Sequence, residues 1–534
     1  ARRRSNNRGG DSMKRIALIL SVVLAFASLT GIVMSAPLQS LTVCVGSEPE
    51  TIDPALNSSV DGAIYIGHLF EGIYTYGTDA ALKLGAAKSC VESADGKTWT
   101  IVLKDNLFWS DGKKLVAEDF VYAWKRAAAE ETASPYAYLI TDYLDLNKTV
   151  AKDEKTIIVT VKFRVPYMKS LFAFPTYMPV RKDIIDKYGD KWTLDPKAFV
   201  SNGMYKLSKR VPDSTIEMIA NGYYHDKAVV KVPKLIFKLF SDDNAVFAAF
   251  KNNQLSLIDT YPIDEYKSVI KMPEYKVAPQ IGTYYISFNV KAAPLNNVLV
   301  RKALWYAIDT KYIAEEVRGG GALPANAMVA FGITDSDNKD FSQKPESKFI
   351  DPSQYAKNVE MAKKFLADAG YPDGKGFPKM EYVYNTSSGH KKIAEALQQM
   401  WKKALNIDVT LANVEWNVFT DMRRKGNYQI ARNGWLADYD DPTSFLDLFV
   451  TGNGNNDGQY SNPKYDDFMA KAAANTNDAK VRYSYLHQAE KVLMDDAAAA
   501  PIFFYTDEYL QKTSLQGVVI SPFGFKYFFN CSTK

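Results

Sequence analysis

Short runs with apolar residues at every second position alternate along this chain with longer runs where they recur every three or four. The first period marks half-buried strands and the second marks helices with one buried face. Near the start, LTVCVGSEPETIDP alternates until Glu48-Pro49 and Asp53-Pro54 break it into a loop. TWTIVLKDNLFWSDGKKL predicts a strand and a turn at Asp111-Gly112, followed by a helix from Ala117 carrying Phe120, Val121 and Trp124 on one face. Further strands are expected at Thr156 to Phe163 and Lys234 to Leu239.

The second half alternates more regularly. It predicts strand Glu381 to Asn385, helix His390 to Leu405, strand Ile407 to Leu411, helix Trp416 to Lys425 and strand Tyr428 to Arg432. Strands alternating with helices indicate an α/β fold. A helix over Asp351 to Ala369 carries its own punctuation: Asp351 as N-cap, Pro352 in the first turn, Gly370 beyond the end and then Pro372. Its buried stripe is read as Val359, Ala362, Leu366 and Ala369. No repeat is evident, and the Asn/Gly-rich tract from Thr451 to Gly458 reads as a solvated loop.

With 534 residues, 47% hydrophobic and 24% charged, the chain can build two or three domains. Residues 1–35 stand apart, as upstream residues followed by a signal peptide. Met13, Lys14 and Arg15 form a basic start, and Ile16 to Val33 is an uncharged apolar run ending near Ser35 and Ala36. Cleavage after Ser35 is expected, with an uncleaved membrane anchor as the alternative. The six basic residues before Ile16, against Asp11, give the leader +5, so the formal charge of +4 leaves the remainder near −1. Nucleic acid is therefore not an expected partner. Cys44, Cys90 and Cys531 fit no zinc or redox spacing, and one bridge among them remains open.

Candidate chemistry concentrates in VEWNVFTDMRRKGNYQIARNGWLADYDDP, Val414 to Pro442. Cation, aromatic wall and carboxylate converge there, a combination suited to zwitterionic ligands. Other motifs fail on spacing. Gly96-Lys97-Thr98 lacks the earlier glycine of a phosphate loop, since Val91 stands there, and Gly452, Gly454 and Gly458 miss the dinucleotide spacing. The four histidines never reach metal-ligand spacing, Asp440-Asp441 reads as a turn start, and no GxSxG elbow occurs. No enzyme activity, metal or cofactor is expected.

The ordered segments TIDP (51–54), HLFEGIY (68–74), FWSDGKKLVAEDFVYAW (108–124), TASPYAYL (132–139), NGMYKL (202–207) and NGYYHD (221–226) resemble the oligopeptide-binding subunits of bacterial peptide ABC transporters. So do GTYYISFN (282–289), LNNVLVRKALWYAID (295–309), ALP (322–324), YNTSSGHKKIAEALQQMWKK (384–403) and Val414 to Pro442. The resemblance, to family 5 extracellular solute-binding proteins, covers nearly the whole chain after the leader. It implies a two-lobed, three-domain α/β periplasmic binding fold, type II-like, closing on ligand around a hinge crossed twice. Residues 38–70, 182–281 and 506–534 would form the first lobe, 71–181 an inserted domain, and 282–505 the opposite lobe.

The resemblance also implies roles. Asp438 would hold a peptide α-amino group, while Arg423, Arg432, His390 and Arg318 would receive the carboxylate at different ligand lengths. Backbone groups of Arg432, Gly434 and Leu436 would pair with the ligand main chain, with Val60 contributing from the first lobe. Tyr136, Trp416 and Trp435 would form pocket walls, and Tyr285 lies in a matching segment. Ser58, Gly67, Phe174 and Ser287 depart from the Glu, Arg, His and Glu of the best-known members, so side-chain preference does not transfer. Gly282 and Leu436 replace a cysteine pair that is bridged in some relatives. The expectation is a monomeric periplasmic capture protein that delivers short peptides to an inner-membrane permease pair with separate ATPase subunits. Alternatives are the same fold holding a dipeptide, murein peptide, nickel chelate or haem, and an export-compartment chaperone or hydrolase.

Overall fold

The structure, a computed structural model, describes residues 38–534. The leader, and with it the question of its cleavage, lies outside the described residues. Two large apolar cores divide the molecule. One draws on positions from Leu41 to Leu239 and again on Leu515 to Cys531, and the other runs from Tyr284 to Phe504. A smaller cluster around Val246, Phe250 and Leu510 lies apart from both.

Two long strands, Tyr275–Phe288 and Ala499–Gln511, connect these regions. They pair antiparallel from Tyr275↔Leu510 to Ser287↔Ala499, with the register slipping between Pro279 and Thr283. On one side of the slip Tyr275 and Leu510 pack in the small cluster, while on the other Tyr284 to Phe288 enter the second core. A bulge interrupts ladder bonding and bends the strand, so the pair changes direction between the two clusters.

The same sheet continues outward through Ile430–Leu436, Met380–Asn385 and Val409–Val414. The last two strands pair in parallel, joined by the helix Ser388–Leu405. That helix starts two residues before the expected His390, because the Ser387 side chain caps it. Its buried face, Ile393, Ala394, Leu397, Trp401, Ala404 and Leu405, follows the helical period, and Asn406 ends it in a left-handed conformation (φ 54°). The helix Ala117–Ala128 buries Phe120, Val121 and Trp124 as expected, and Asp119 accepts from the Val116 amide to close its first turn.

Boundaries shift elsewhere for local reasons. Asp351 caps a short 3₁₀ turn, Pro352–Gln354, and the α-helix begins only at Tyr355. Its inward residues are Asn358, Ala362 and Leu366, with Val359 and Ala369 only half-buried. The strand expected over Ile407 to Leu411 spans Val409–Val414, and the one expected to end at Arg432 runs on to Leu436. All three cysteines are free, with Cys44 and Cys531 buried.

Candidate functional site

The strand Ile430–Leu436 builds the site. It pairs antiparallel with the long strand 275–288 along its whole length, but meets its other neighbour only at Ile430 and Ala431. The Ala437 amide donates to Ile281 O, which fixes the phase of the alternation: Ala431, Asn433 and Trp435 direct their backbone groups toward the long strand. Arg432, Gly434 and Leu436 therefore turn theirs to the open edge. Beyond Ala431 that edge has no strand partner and borders a cavity of ≈ 500 Å³.

The residues expected to hold or wall the ligand all line this one cavity, whereas Gly67, Gly282 and Ser287 lie outside its lining. Ser58, Val60, Tyr136 and Phe174 come from the first core's side, while Tyr285, Arg318, His390, Trp416 and Arg423 come from around the sheet. Arg432, Gly434, Trp435, Leu436 and Asp438 come from the strand and its exit. The helix Trp416–Arg424 sets Trp416 at its first position, capped by Glu415, and Arg423 in its last turn.

Asp438 is 9% exposed and accepts from the Tyr136 hydroxyl at 3.2 Å, while its Oδ2 has no partner. Burial pushes its carboxyl well above the usual carboxylate range, opposed by the Tyr136 bond. It does not pair with an arginine: Arg424 holds Glu50 and Ser58, and Arg432 points elsewhere. Tyr136 in turn packs edge-on against Phe174 at 4.9 Å and against Trp435 at 6.0 Å, so the carboxyl sits behind an aromatic wall.

The cations differ in how far they are already satisfied. Arg423 pairs with Asp457 at 3.2 Å and also binds Asn433. Arg318 pairs with Glu508, a buried carboxylate that accepts from Tyr261 and Tyr275 as well, each at 2.7 Å. Arg432 has no carboxylate partner among the described residues. It lies over the Tyr284 ring at 5.2 Å, donates to the Tyr505 hydroxyl at 3.3 Å, and its Nε is unpartnered. Among the described residues His390 has no acid beside it; its Nδ1 lies 3.4 Å from the Tyr284 hydroxyl. Burial, then Arg432 and Arg318, hold its pKa well below the usual imidazole value, so it is a neutral hydrogen-bonding group rather than a cation.

Gly434 sits where a Cβ would come within 2.3 Å of the Tyr505 hydroxyl, so only glycine fits there, and its amide donates to Asn433 Oδ1 at 2.8 Å. Gly282 and Leu436 are direct register partners, and a Cβ on Gly282 would meet Leu436 at 2.3 Å. The two positions expected to replace a bridged cysteine pair thus face each other across the strands. Ser287 bonds the Tyr428 hydroxyl at 2.8 Å.

Sequence reasoning missed a second charged group on the cavity wall. Lys526 is 4% exposed and lies 2.9–3.0 Å from Asp507, with Asp259 close enough to interact with it and Asp61 close to Asp259. Burial raises Asp61 and Asp259 to about 6 each. The available signal was a single lysine inside the apolar run Phe523 to Phe529, since a lysine buried in such a run requires an acid partner. Among the described residues no group of His, Cys, Asp and Glu could hold a metal ion, and no helix is long and apolar enough to cross a membrane.

Contacts bridge the cavity's two sides. Asp243 accepts from the Ser388 amide and hydroxyl at 2.9 and 2.6 Å, Tyr143 donates to Asp447 at 2.7 Å, and Tyr167 stacks on Tyr439 at 4.1 Å. This is a closed arrangement. The chain superposes on the Escherichia coli murein tripeptide-binding protein MppA with a TM-score of 0.87 (31% identity, 93% of this chain and 99% of that one). Against the unliganded open form of MppA the score falls to 0.64 (30% identity, 93% and 98%). It matches the Haemophilus influenzae oligopeptide-binding protein OppA, solved with the peptide RPPGFSPFR, at 0.87 (31% identity, 94% and 100%). Bacillus subtilis OppA is 34% identical over 514 residues, 93% of each chain. Residues 81–457 match the family described as bacterial extracellular solute-binding proteins, family 5 Middle. With that match spanning most of the chain and the relatives spanning nearly all of it, the protein belongs to the family 5 bacterial extracellular solute-binding proteins.

Proposed function

We propose that this chain is the peptide-capturing subunit of an ABC importer, holding short extended peptides by their main chain and termini. The carrying observation is the pairing of two unsatisfied charges along one open strand edge: Asp438 Oδ2 at one end and Arg432 at the other. A peptide added beside Arg432, Gly434 and Leu436 gains backbone hydrogen bonds independent of its sequence. Its ammonium meets Asp438 and its carboxylate meets Arg432, with the neutral His390 as an added donor. Tyr136, Phe174, Trp416, Trp435 and Tyr285 wall the side-chain space, and Ser58 and Val60 close it from the opposite side.

Closure brings these walls together, with residues 38–70, 182–281 and 506–534 plus the inserted 71–181 moving against 282–505. The two long strands act as the hinge, and ligand shifts the population toward the closed form because contacts from both sides coexist only there. The closed protein then hands its ligand to a membrane permease pair driven by separate ATPase subunits, acting as a monomer in the periplasm. A buried carboxyl beside a free guanidinium favours a zwitterion over a nickel chelate or haem. Native mass spectrometry of the exported protein tests this reading: co-purified peptides support it, and a non-peptide ligand in their place defeats it.

A further inference from the structure

Away from the cavity, four buried polar side chains form an unbroken chain between the helix Ala479–Asp495 and the largely irregular segment 325–347. His487 Nε2 lies 2.8 Å from Asp335 Oδ2, His487 Nδ1 lies 3.1 Å from Ser347 Oγ, and Ser347 Oγ lies 2.8 Å from Glu490 Oε2. The Met328 and Val329 amides donate to Glu490 Oε1 at 3.1 and 2.8 Å. Ser347, His487 and Asp335 are the residue types of a hydrolytic triad, but Ser347 is 0% exposed and the Phe341 ring stacks on the imidazole at 3.8 Å. No substrate reaches this serine, and its hydroxyl is committed between His487 and Glu490.

Three contacts in series need three protons, one in each. The Ser347 hydroxyl supplies one, so Asp335, His487 and Glu490 must hold two among them. In one arrangement the imidazole carries both, donating to Asp335 and to Ser347, whose hydroxyl donates to an ionised Glu490. In another, Nε2 donates to Asp335, a protonated Glu490 donates to Ser347, and the hydroxyl donates to Nδ1. These interconvert by moving protons along the chain at constant total charge. With one proton fewer, whatever the arrangement, one of the three contacts sets two buried acceptors face to face.

We infer that this relay is a proton-operated clasp, which ties segment 325–347 to the helix while it holds two protons and loosens the segment when one is lost. Lys344 and Tyr483 lie in the field of Asp335 and Tyr465 in that of Glu490, but Lys344 is ion-paired with Asp337 and Arg482, on the same helix, with Asp441. Among the described residues no cation pairs with Glu490. Burial pushes its carboxyl up to about 7, so the clasp is complete in mild acid and is lost as pH rises through neutrality. The segment it holds also touches the scaffold of the cavity. Thr283 Oγ1 donates to Met328 O at 2.9 Å, and Thr334 donates from its amide and hydroxyl to Asp440, two residues past Asp438, at 2.9 and 2.8 Å. The clasp does not depend on the identity of the ligand.

Hydrogen exchange of the full chain at about pH 6 and about pH 8.5, corrected for intrinsic rates, tests it on peptides covering 325–347, with the helix Ser388–Leu405 as internal control. Wild type is expected to lose about tenfold in protection of the segment across that range, the weight of one lost buried hydrogen bond, while the control helix stays level. Glu490→Gln donates to Ser347 at every pH and keeps an oxygen for the two backbone amides, so its protection is expected to stay within about twofold. Ser347→Ala cuts the chain and is expected to show the loosened level at both pH values; its profile decides by itself where Glu490→Gln does not fold. A wild-type segment indifferent to pH would overturn the clasp. So would a Ser347→Ala or Glu490→Gln variant that keeps the wild-type pH dependence.

Discussion

Replacing Asp438 by asparagine isolates the charge at the amino-terminal end of the cavity. The amide keeps the shape of the carboxyl and an oxygen for the Tyr136 hydroxyl, 3.2 Å away in the wild type, so the aromatic wall should stay in place. What disappears is the negative partner for the ligand ammonium. Truncating one member of a buried, hydrogen-bonded charge pair costs about 2–5 kcal/mol. At about 1.4 kcal/mol per factor of ten, that is about thirtyfold to about a thousandfold or more in Kd.

A second signature separates this from a packing defect. Burial raises the Asp438 carboxyl in the empty cavity, while a bound ammonium favours its ionised form. Peptide binding should therefore release protons at pH values below the empty-site pKa, and affinity should fall as pH is lowered through it. Calorimetry in buffers of different ionisation enthalpy would report that release for the wild type and not for Asp438→Asn. A variant with an unchanged melting temperature whose Kd stays within about threefold of wild type would refute the assignment.

Two further outcomes concern stability. Glu490, fully buried and bonded to the Met328 and Val329 amides and to Ser347, is pushed up to about 7 by burial. Its folded pKa lies above the unfolded value of about 4.3, so its contribution is fully present below that value and is lost as pH rises through about 7. Glu490→Gln should flatten the fall in thermal stability between pH 5 and 8, an effect on the order of 3 kcal/mol at the alkaline end; an unchanged pH slope would count against it. Asp441 and Arg482 form a bidentate pair at 2.7 Å, each at most 4% exposed. Asp441→Asn leaves a buried guanidinium uncompensated and should cost about 3–5 kcal/mol in urea unfolding, whereas a loss under about 1 kcal/mol would mean that the guanidinium finds another partner.

Much of the molecule was legible from its pattern. The helices at 117, 388 and 416 and the strands between them follow from period and capping, because those signals are local. Their ends were less legible: the strand carrying Arg432 runs on through Asn433 to Leu436 because the long neighbouring strand pairs with it throughout. No local propensity predicts a partner about 150 residues earlier in sequence. The stripe of the helix at 355 keeps its expected phase, with Ala362 and Leu366 buried and Val359 and Ala369 packed against the same core, while a proline-led 3₁₀ turn displaces its start.

The sequence by itself determined the cluster of aromatic, acidic and basic side chains from Trp416 to Asp438, set on one helix, one strand and its exit loop, while Ser58, Val60, Tyr136, Phe174, Arg318 and His390 were indicated only by resemblance. Only the tertiary structure decided which charges remain available. Arg318 finds Glu508, Arg423 finds Asp457 and Lys526 finds Asp507 through the fold, and His390 loses its charge to burial beside two arginines. Whether a charged side chain can greet a ligand depends on what surrounds it in three dimensions. A buried ion must be compensated, and its compensating partner often lies far away in sequence.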